Sequence, residues 1–208
     1  AHAALYNNAK PVFADVDVDT LCIDIEDMKE KITDKTKAII PVHLGGHPCD
    51  MDPIIEIAKE KNIVVIEDAA NATGTKYKGK MVGSIGDIGC FSFEAKKSLT
   101  TGDGGMITTD NDKIVERLKR LRWLGINKQT WERFTNKKER YSWYYEITDL
   151  GYKYNMNDIQ ATIGLVQLKK LEFMIKKKLE VVKKYNKAFS KIDEIKCPVE
   201  KKWAKSAW

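Results

Sequence analysis

Runs of apolar residues alternate with amphipathic runs through the first half of the chain. KAIIPVH (37–43) reads as a buried strand. MDPIIEIAKEKN (51–62) has its apolar positions at helical spacing, with Asp52 expected as the cap ahead of Pro53. IVVIED (63–68) is a β-branched run that ends in two carboxylates. DIGCFSF (87–93) and GMITTD (105–110) read as two more short strands, and NDKIVERLKRLRWLG (111–125) as a helix stopped at Gly125. Strand, helix, strand in this rhythm predicts an α/β fold of βαβ units, with a mainly parallel central sheet flanked by helices.

Residues 126–152 break the rhythm. They are polar and aromatic, with Trp131, Phe134, Trp143, Tyr144 and Tyr145, and read as a long structured loop. Two readings of segment 131–145 stand side by side. It contacts substrate or a second subunit, or its aromatics simply pack the loop onto the domain. After it, residues 156–192 carry a long helical pattern, capped by Asn157 or Asp158.

Composition narrows the class. The chain has 208 residues, enough for one sizeable domain, and 43% hydrophobic and 32% charged content fits a soluble globular protein. No apolar run approaches the ~20 residues of a membrane helix, so no membrane partner is expected. The first ten residues lack the pattern of a signal peptide. The chain opens without Met and ends at WAKSAW, which suggests a piece of a longer protein. Net charge is +6, with much of the excess in KKLEFMIKKKLEVVKKYNK (169–187). Those lysines alternate with apolar residues at helical spacing, so they read as a solvated helix face and not as a nucleic-acid site. The cysteines, Cys22, Cys49, Cys90 and Cys197, form no CxxC pair, and Cys90 reads as a small buried hydrophobe. Reduced thiols in a cytoplasm are the expectation.

The chemistry collects at strand ends. Asp68 stands at the C-terminal end of a predicted strand, the edge where open α/β sheets bind ligands, although it also suits the cap of the following AANATG turn. FSFEAKKSLTTGDGG (91–105) follows another strand. Lys96 and Lys97 both compete there for a nucleophilic role against the ordinary reading of exposed lysine. Ser92 and the turn SLTTGDGG supply hydroxyls and backbone N–H groups that suit a phosphate. A strand-end aspartate, a serine and a lysine before a glycine-rich turn are what a pyridoxal 5'-phosphate site needs: a carboxylate for the ring nitrogen, an amine for the aldehyde, and donors for the phosphate.

At these residues the chain resembles a known family. VIEDAANATGTKYKGKMVGSIGDIGCFSFEAKKSLTTGDGGMITTD is similar to the core of the DegT/DnrJ/EryC1/StrS aminotransferases, pyridoxal-phosphate enzymes of fold type I. AKPVFADVDVDTLCID, TKAIIPVHLGGHPCDMDPI and LGYKYNMNDIQATIGLVQLKKLE match in order, so the resemblance covers nearly all of the chain. It implies that Lys97, five residues after Ser92, is the cofactor-binding and catalytic lysine, with Lys96 a neighbour. Asp68 falls at the partner of the pyridine nitrogen. Asn71 falls where the family has Gln or His near the phenolic oxygen, and Ser92 at a phosphate ligand. Lys153 falls where many members have Asn reaching the phosphate across a dimer interface. Asp103 replaces the usual Glu of the family's GEGG turn, His43 lies near the site, and His47 caps or packs locally.

The resemblance implies a large pyridoxal-phosphate-binding domain over residues 1–192, lacking its N-terminal part. The start of a C-terminal small domain would follow at 193–208. It implies a homodimer with shared sites that moves an amino group from a donor, usually glutamate, to a keto group of a nucleotide-linked sugar, for surface polysaccharide or secondary metabolites. Rival readings are the same chemistry on a cyclitol or an aminohydroxybenzoate precursor, a same-fold dehydratase, and a non-catalytic sensor or assembly protein. In the dehydratases His replaces the cofactor lysine, and Lys97 argues against them.

Overall fold

The computed structural model of the protein describes residues 1–128 and 143–208. Among these, helices α1 (His2–Tyr6) and α2 (Ile25–Lys31) precede strand β1 (Ala38–Ile39), and helix α3 (Met51–Lys61) leads from it to strand β2 (Val64–Asp68). Short strands β3 (Lys76–Tyr77) and β4 (Lys80–Met81) follow, then β5 (Ile88–Ser92) and β6 (Gly105–Thr108). Helix α4 (Asp112–Leu121), the long helix α5 (Asp158–Phe189) and strand β7 (Ala204–Lys205) complete the order.

The main sheet runs β1-β2-β5-β6. β1 and β2 are parallel, as are β2 and β5, while β6 returns antiparallel to β5. The connection over residues 93–104 contains no helix, whereas the crossover that a parallel pair needs is usually helical. The smaller sheet is β4-β3-β7, all antiparallel, so the segment after α5 packs back on the turn that follows β2.

The core follows from the apolar patterns. Met51, Ile54 and Ala58 lie on one face of α3 and are buried against Val65 of β2, with Met28 of α2 beside them. Fully burying side chains of the Met51 and Ile54 type stabilises by about 1.5–3 kcal/mol each.

Several predicted boundaries move, each for a local reason. The run 37–43 forms a continuous strand only at Ala38–Ile39, with Val42 bridged to Asp68 beyond the break, because Pro41 has no N–H to give the ladder. The chain still follows β2 beyond it, with Asp68 N donating to Pro41 O at 2.9 Å and His43 N to Asp68 O at 3.0 Å. Asp50, not Asp52, is the cap residue of α3; Asp52 lies in the first turn and pairs with Lys78. α4 ends at Leu121, ahead of Gly125. Gly125, at φ 73°, serves the next turn, where a Cβ would meet Asp149 O at 1.8 Å. For α5 the cap is Asn157, in a capping box: Gln160 N donates to Asn157 Oδ1 at 2.9 Å and Asn157 N to Gln160 Oε1 at 3.2 Å.

Of the aromatic loop, Trp131 and Phe134 lie outside the described residues. Trp143, Tyr144 and Tyr145 are exposed. Ile126 and Ile147 pair across the loop's two ends.

Candidate active site

β2 delivers two adjacent carboxylates to opposite faces of the sheet, because side chains alternate along a strand. Glu67 shares the core-facing parity of Val65 and is fully buried. Its Oε2 accepts from Gly83 N at 2.7 Å and meets His43 Nε2 at 3.0 Å. Its Oε1 accepts from Ile85 N and Gly86 N, both at 2.7 Å. His43 Nδ1 accepts from Cys49 N at 3.0 Å, which leaves Nε2 to donate to Glu67. Burial pushes the Glu67 carboxyl up, but the His43 bond and the three backbone N–H donors outweigh it and hold the group below its ordinary value. Glu67 is thereby spent on holding the 83–86 turn and the His43 segment to β2.

Asp68 faces the other way and is half-buried. Its Oδ1 accepts from Ala70 N at 3.0 Å, the local turn bond expected of a strand-end aspartate. Opposite it in register on β5 is Cys90, and Ser92 lies two residues on, with the same parity. Cys90 is only half-buried, contrary to its apolar sequence context, although it is paired on both sides, with Asp68 of β2 and Ile107 of β6. Burial and then the charge of Asp68 push its thiol up. Ser92 Oγ accepts a long bond of 3.4 Å from Glu94 N.

The lysine pair divides cleanly. The backbone N–H of Lys96 and of Lys97 both bond to Glu94, through its carboxylate and its carbonyl respectively. This folds the turn so that Lys96 is exposed while Lys97 is half-buried. Lys97 Nζ donates to Asn71 Oδ1 at 2.8 Å, which brings the turn after β5 onto the turn after β2. Asp68, Asn71, Ser92 and Lys97 are thus assembled from two neighbouring parallel strand ends. The threonines of the glycine-rich turn are used internally. Thr100 Oγ1 donates to Phe93 O at 3.2 Å and Thr101 Oγ1 to Asp103 O at 2.6 Å. Gly102, at φ 84°, takes a backbone conformation that favours glycine, and its N–H donates to Thr100 Oγ1 at 2.9 Å. Lys153 is placed elsewhere: its Nζ donates to Asn155 Oδ1 at 2.8 Å and sits 3.5 Å from the centre of the Trp123 ring.

A sequence model of the DegT/DnrJ/EryC1/StrS aminotransferase family matches residues 1–208. The chain belongs to this family. The spore coat polysaccharide biosynthesis protein SpsC of Bacillus subtilis is 43% identical over 100% of this chain and 53% of its own length. GDP-perosamine synthase of Caulobacter vibrioides is 41% identical over 92% of this chain and 48% of its own. Among solved structures, the aminotransferase TlmJ of Streptoalloteichus hindustanus superposes with a TM-score of 0.89 at 33% identity, covering 100% of this chain and 54% of TlmJ. Spr1654 of Streptococcus pneumoniae, in a structure described as its PMP form, gives 0.86 at 30% identity, covering 100% and 56%. The chain therefore spans about half the length of the relatives it matches.

Within this DegT/DnrJ/EryC1/StrS chain, two residues of consequence escape a motif reading. Glu67 looks like the first of a carboxylate pair, and only its parity with Val65 marks it as a core group. Lys178 belongs to a run that reads as a solvated face, yet it is half-buried on α5 while Lys176 and Lys177 are exposed. Its position, seven after Leu171 and three after Ile175, is the signal, since both of those pack inward. His47 is a packing residue as expected: it is buried, its Nδ1 meets Pro48 O at 2.8 Å, and its ring lies edge-on to Trp203.

Proposed function

We propose that the protein is a pyridoxal-phosphate-dependent aminotransferase that moves an amino group, from glutamate, to a keto group of a nucleotide-linked sugar in the cytoplasm. Family membership over the whole chain supports this, as do relatives named for polysaccharide biosynthesis and GDP-perosamine synthesis. The observation that carries it is the 2.8 Å bond from Lys97 Nζ to Asn71 Oδ1, which ties the turn after β5, the strand that ends at Ser92, to the turn after β2, the strand that ends at Asp68.

These residues fit the cofactor by their chemistry. Asp68 offers an acceptor that, among the described residues, takes a single local bond, suited to a protonated ring nitrogen. Asn71 would offer its amide N–H to the ring oxygen, from the turn where its Oδ1 accepts from Lys97. Ser92 offers a hydroxyl that accepts, among the described residues, a long bond of 3.4 Å from Glu94 N, suited to a phosphate oxygen. Pyridoxal phosphate, when bound, supplies an electron sink that stabilises negative charge at the carbon being deprotonated. Lys97 is the group that takes the proton from the Cα of the amino donor and returns it. Lys153 would act from a second subunit of a homodimer, as a point charge toward the phosphate. The division into a large domain, 1–192, and a small domain from 193 belongs to the same reading; α5 ends at Phe189, close to it.

The test is a half-reaction with the full-length protein, pyridoxal phosphate and glutamate. Release of 2-oxoglutarate at one equivalent per site is expected, with none from Lys97→Met. A folded protein that releases none, or a Lys97→Met variant that releases it as fast, contradicts the reading.

A further inference from the structure

Lys178 has no place in the chemistry above. It is half-buried on the inner stripe of α5, and burial pushes its ammonium down. Among the described residues no carboxylate pairs with it. An ammonium in such surroundings needs good acceptors. Lys178 Nζ finds two, donating to Ser98 Oγ at 2.6 Å and to Trp208 O at 2.7 Å.

Those two acceptors lie on a closed circuit around Lys97. Ser98 is the next residue after Lys97. Trp208 backs onto Gly46, where a Cβ would meet Trp208 N at 2.6 Å, while Ala207 N donates to Gly46 O at 3.2 Å. A Cβ at Gly46 would also come within 3.2 Å of Asn71 O, so this glycine packs closely against both segments, and Asn71 Oδ1 accepts from Lys97 Nζ. The path from Lys97 through Ser98, Lys178, Trp208, Gly46 and Asn71 returns to Lys97. Close packing of α5 supports the circuit from below. Gly74 admits Ile175, with a Cβ there only 2.5 Å from Ile175 Cδ1, and Phe93 and Leu99 pack with Leu171 and Ile175. At the far end of the glycine-rich turn, Gln160 of α5 donates to Asp103 O at 3.0 Å.

We propose that Lys178 is a positioning residue for Lys97: by holding Ser98 to Trp208, it fixes the turn that presents the Lys97 amine to Asn71 and not to solvent. The inference rests on the reading of Lys97 as the cofactor-binding amine. A lysine serves because one compact ammonium reaches two acceptors on different segments.

The test uses full-length protein, pyridoxal phosphate and borohydride at limiting time, with the ratio of label on Lys97 to label on Lys96 read by mass spectrometry. Lys96 is an internal control on the same turn. Wild type favours Lys97. Lys178→Met is expected to lower the ratio about tenfold and Ser98→Ala about threefold, as for loss of a hydrogen bond to a charged group. The double variant should fall no further than Lys178→Met, since both remove one interaction. An unchanged ratio in folded Lys178→Met overturns the proposal. Should that variant not fold, an unchanged ratio in Ser98→Ala does so. A purely stabilising role would lower the melting temperature and leave the ratio alone. Wild type with no preference for Lys97 removes the reading of Lys97 itself, and the positioning role with it.

Discussion

Glu67 and Asp68 are consecutive residues of one strand with opposite fates. Glu67 faces the core, is fully buried, and accepts from three backbone N–H groups and His43. Asp68 faces the strand edge, is half-buried, and among the described residues its carboxylate accepts from Ala70 N alone. Strand parity makes the division, since a one-residue step moves a side chain to the other face of the sheet. The saturated carboxylate is committed to the fold. The unsaturated one keeps acceptor capacity for something else. The pair teaches that a conspicuous acidic motif at a strand end is two devices, and that hydrogen-bond saturation tells them apart.

Removing each carboxylate breaks the pair differently. Glu67→Ala leaves buried N–H donors and His43 without an acceptor, and about 3–5 kcal/mol of stability should be lost. Chemical denaturation measures this. Asp68→Ala removes one local bond and should cost no more than about 1 kcal/mol. Its effect should appear in the glutamate half-reaction, slowed about a hundredfold or more, equivalent to about 2.7 kcal/mol in the barrier. Equal stability losses from the two variants would erase the distinction.

A smaller effect comes from pH. The folded Glu67 carboxyl lies below its ordinary 4.5. A depressed carboxylate contributes stability that is complete above the unfolded value and is lost as pH falls through the folded one. The denaturation midpoint should therefore drop as pH falls below about 4.5. Glu67→Gln, having no charge to lose there, should show a shallower acid slope. Identical slopes in wild type and Glu67→Gln would remove Glu67 as the source.

Much of this was legible in the sequence wherever a local pattern governs. The strand ends that place Asp68 and Ser92, and a long helix within 156–192 capped at Asn157 or Asp158, follow from alternation, periodicity and capping chemistry; the fold settles the cap on Asn157. What escaped depends on tertiary partners. Asp52 looks like a cap until Lys78 claims it. Cys90 looks buried from its apolar neighbours, yet it is only half-buried in the fold. Lys178 looks solvated because composition weighs all the lysines of α5 alike, and only its register with Leu171 and Ile175 separates it. Lys153 fits a motif position, yet within this chain its partners are Trp123 and Asn155.

The central claim is that Lys97, and not its neighbour Lys96, is the amine that meets the cofactor at the edge Asp68 occupies. The most direct measurement is to incubate full-length protein with pyridoxal phosphate, reduce with borohydride, digest, and locate the pyridoxyl group by mass spectrometry. Label concentrated on Lys97, and lost from that peptide in Asp68→Ala at the same cofactor concentration, is the expected result. Label on Lys96, label spread evenly over surface lysines, or labelling of Lys97 indifferent to Asp68 would contradict it.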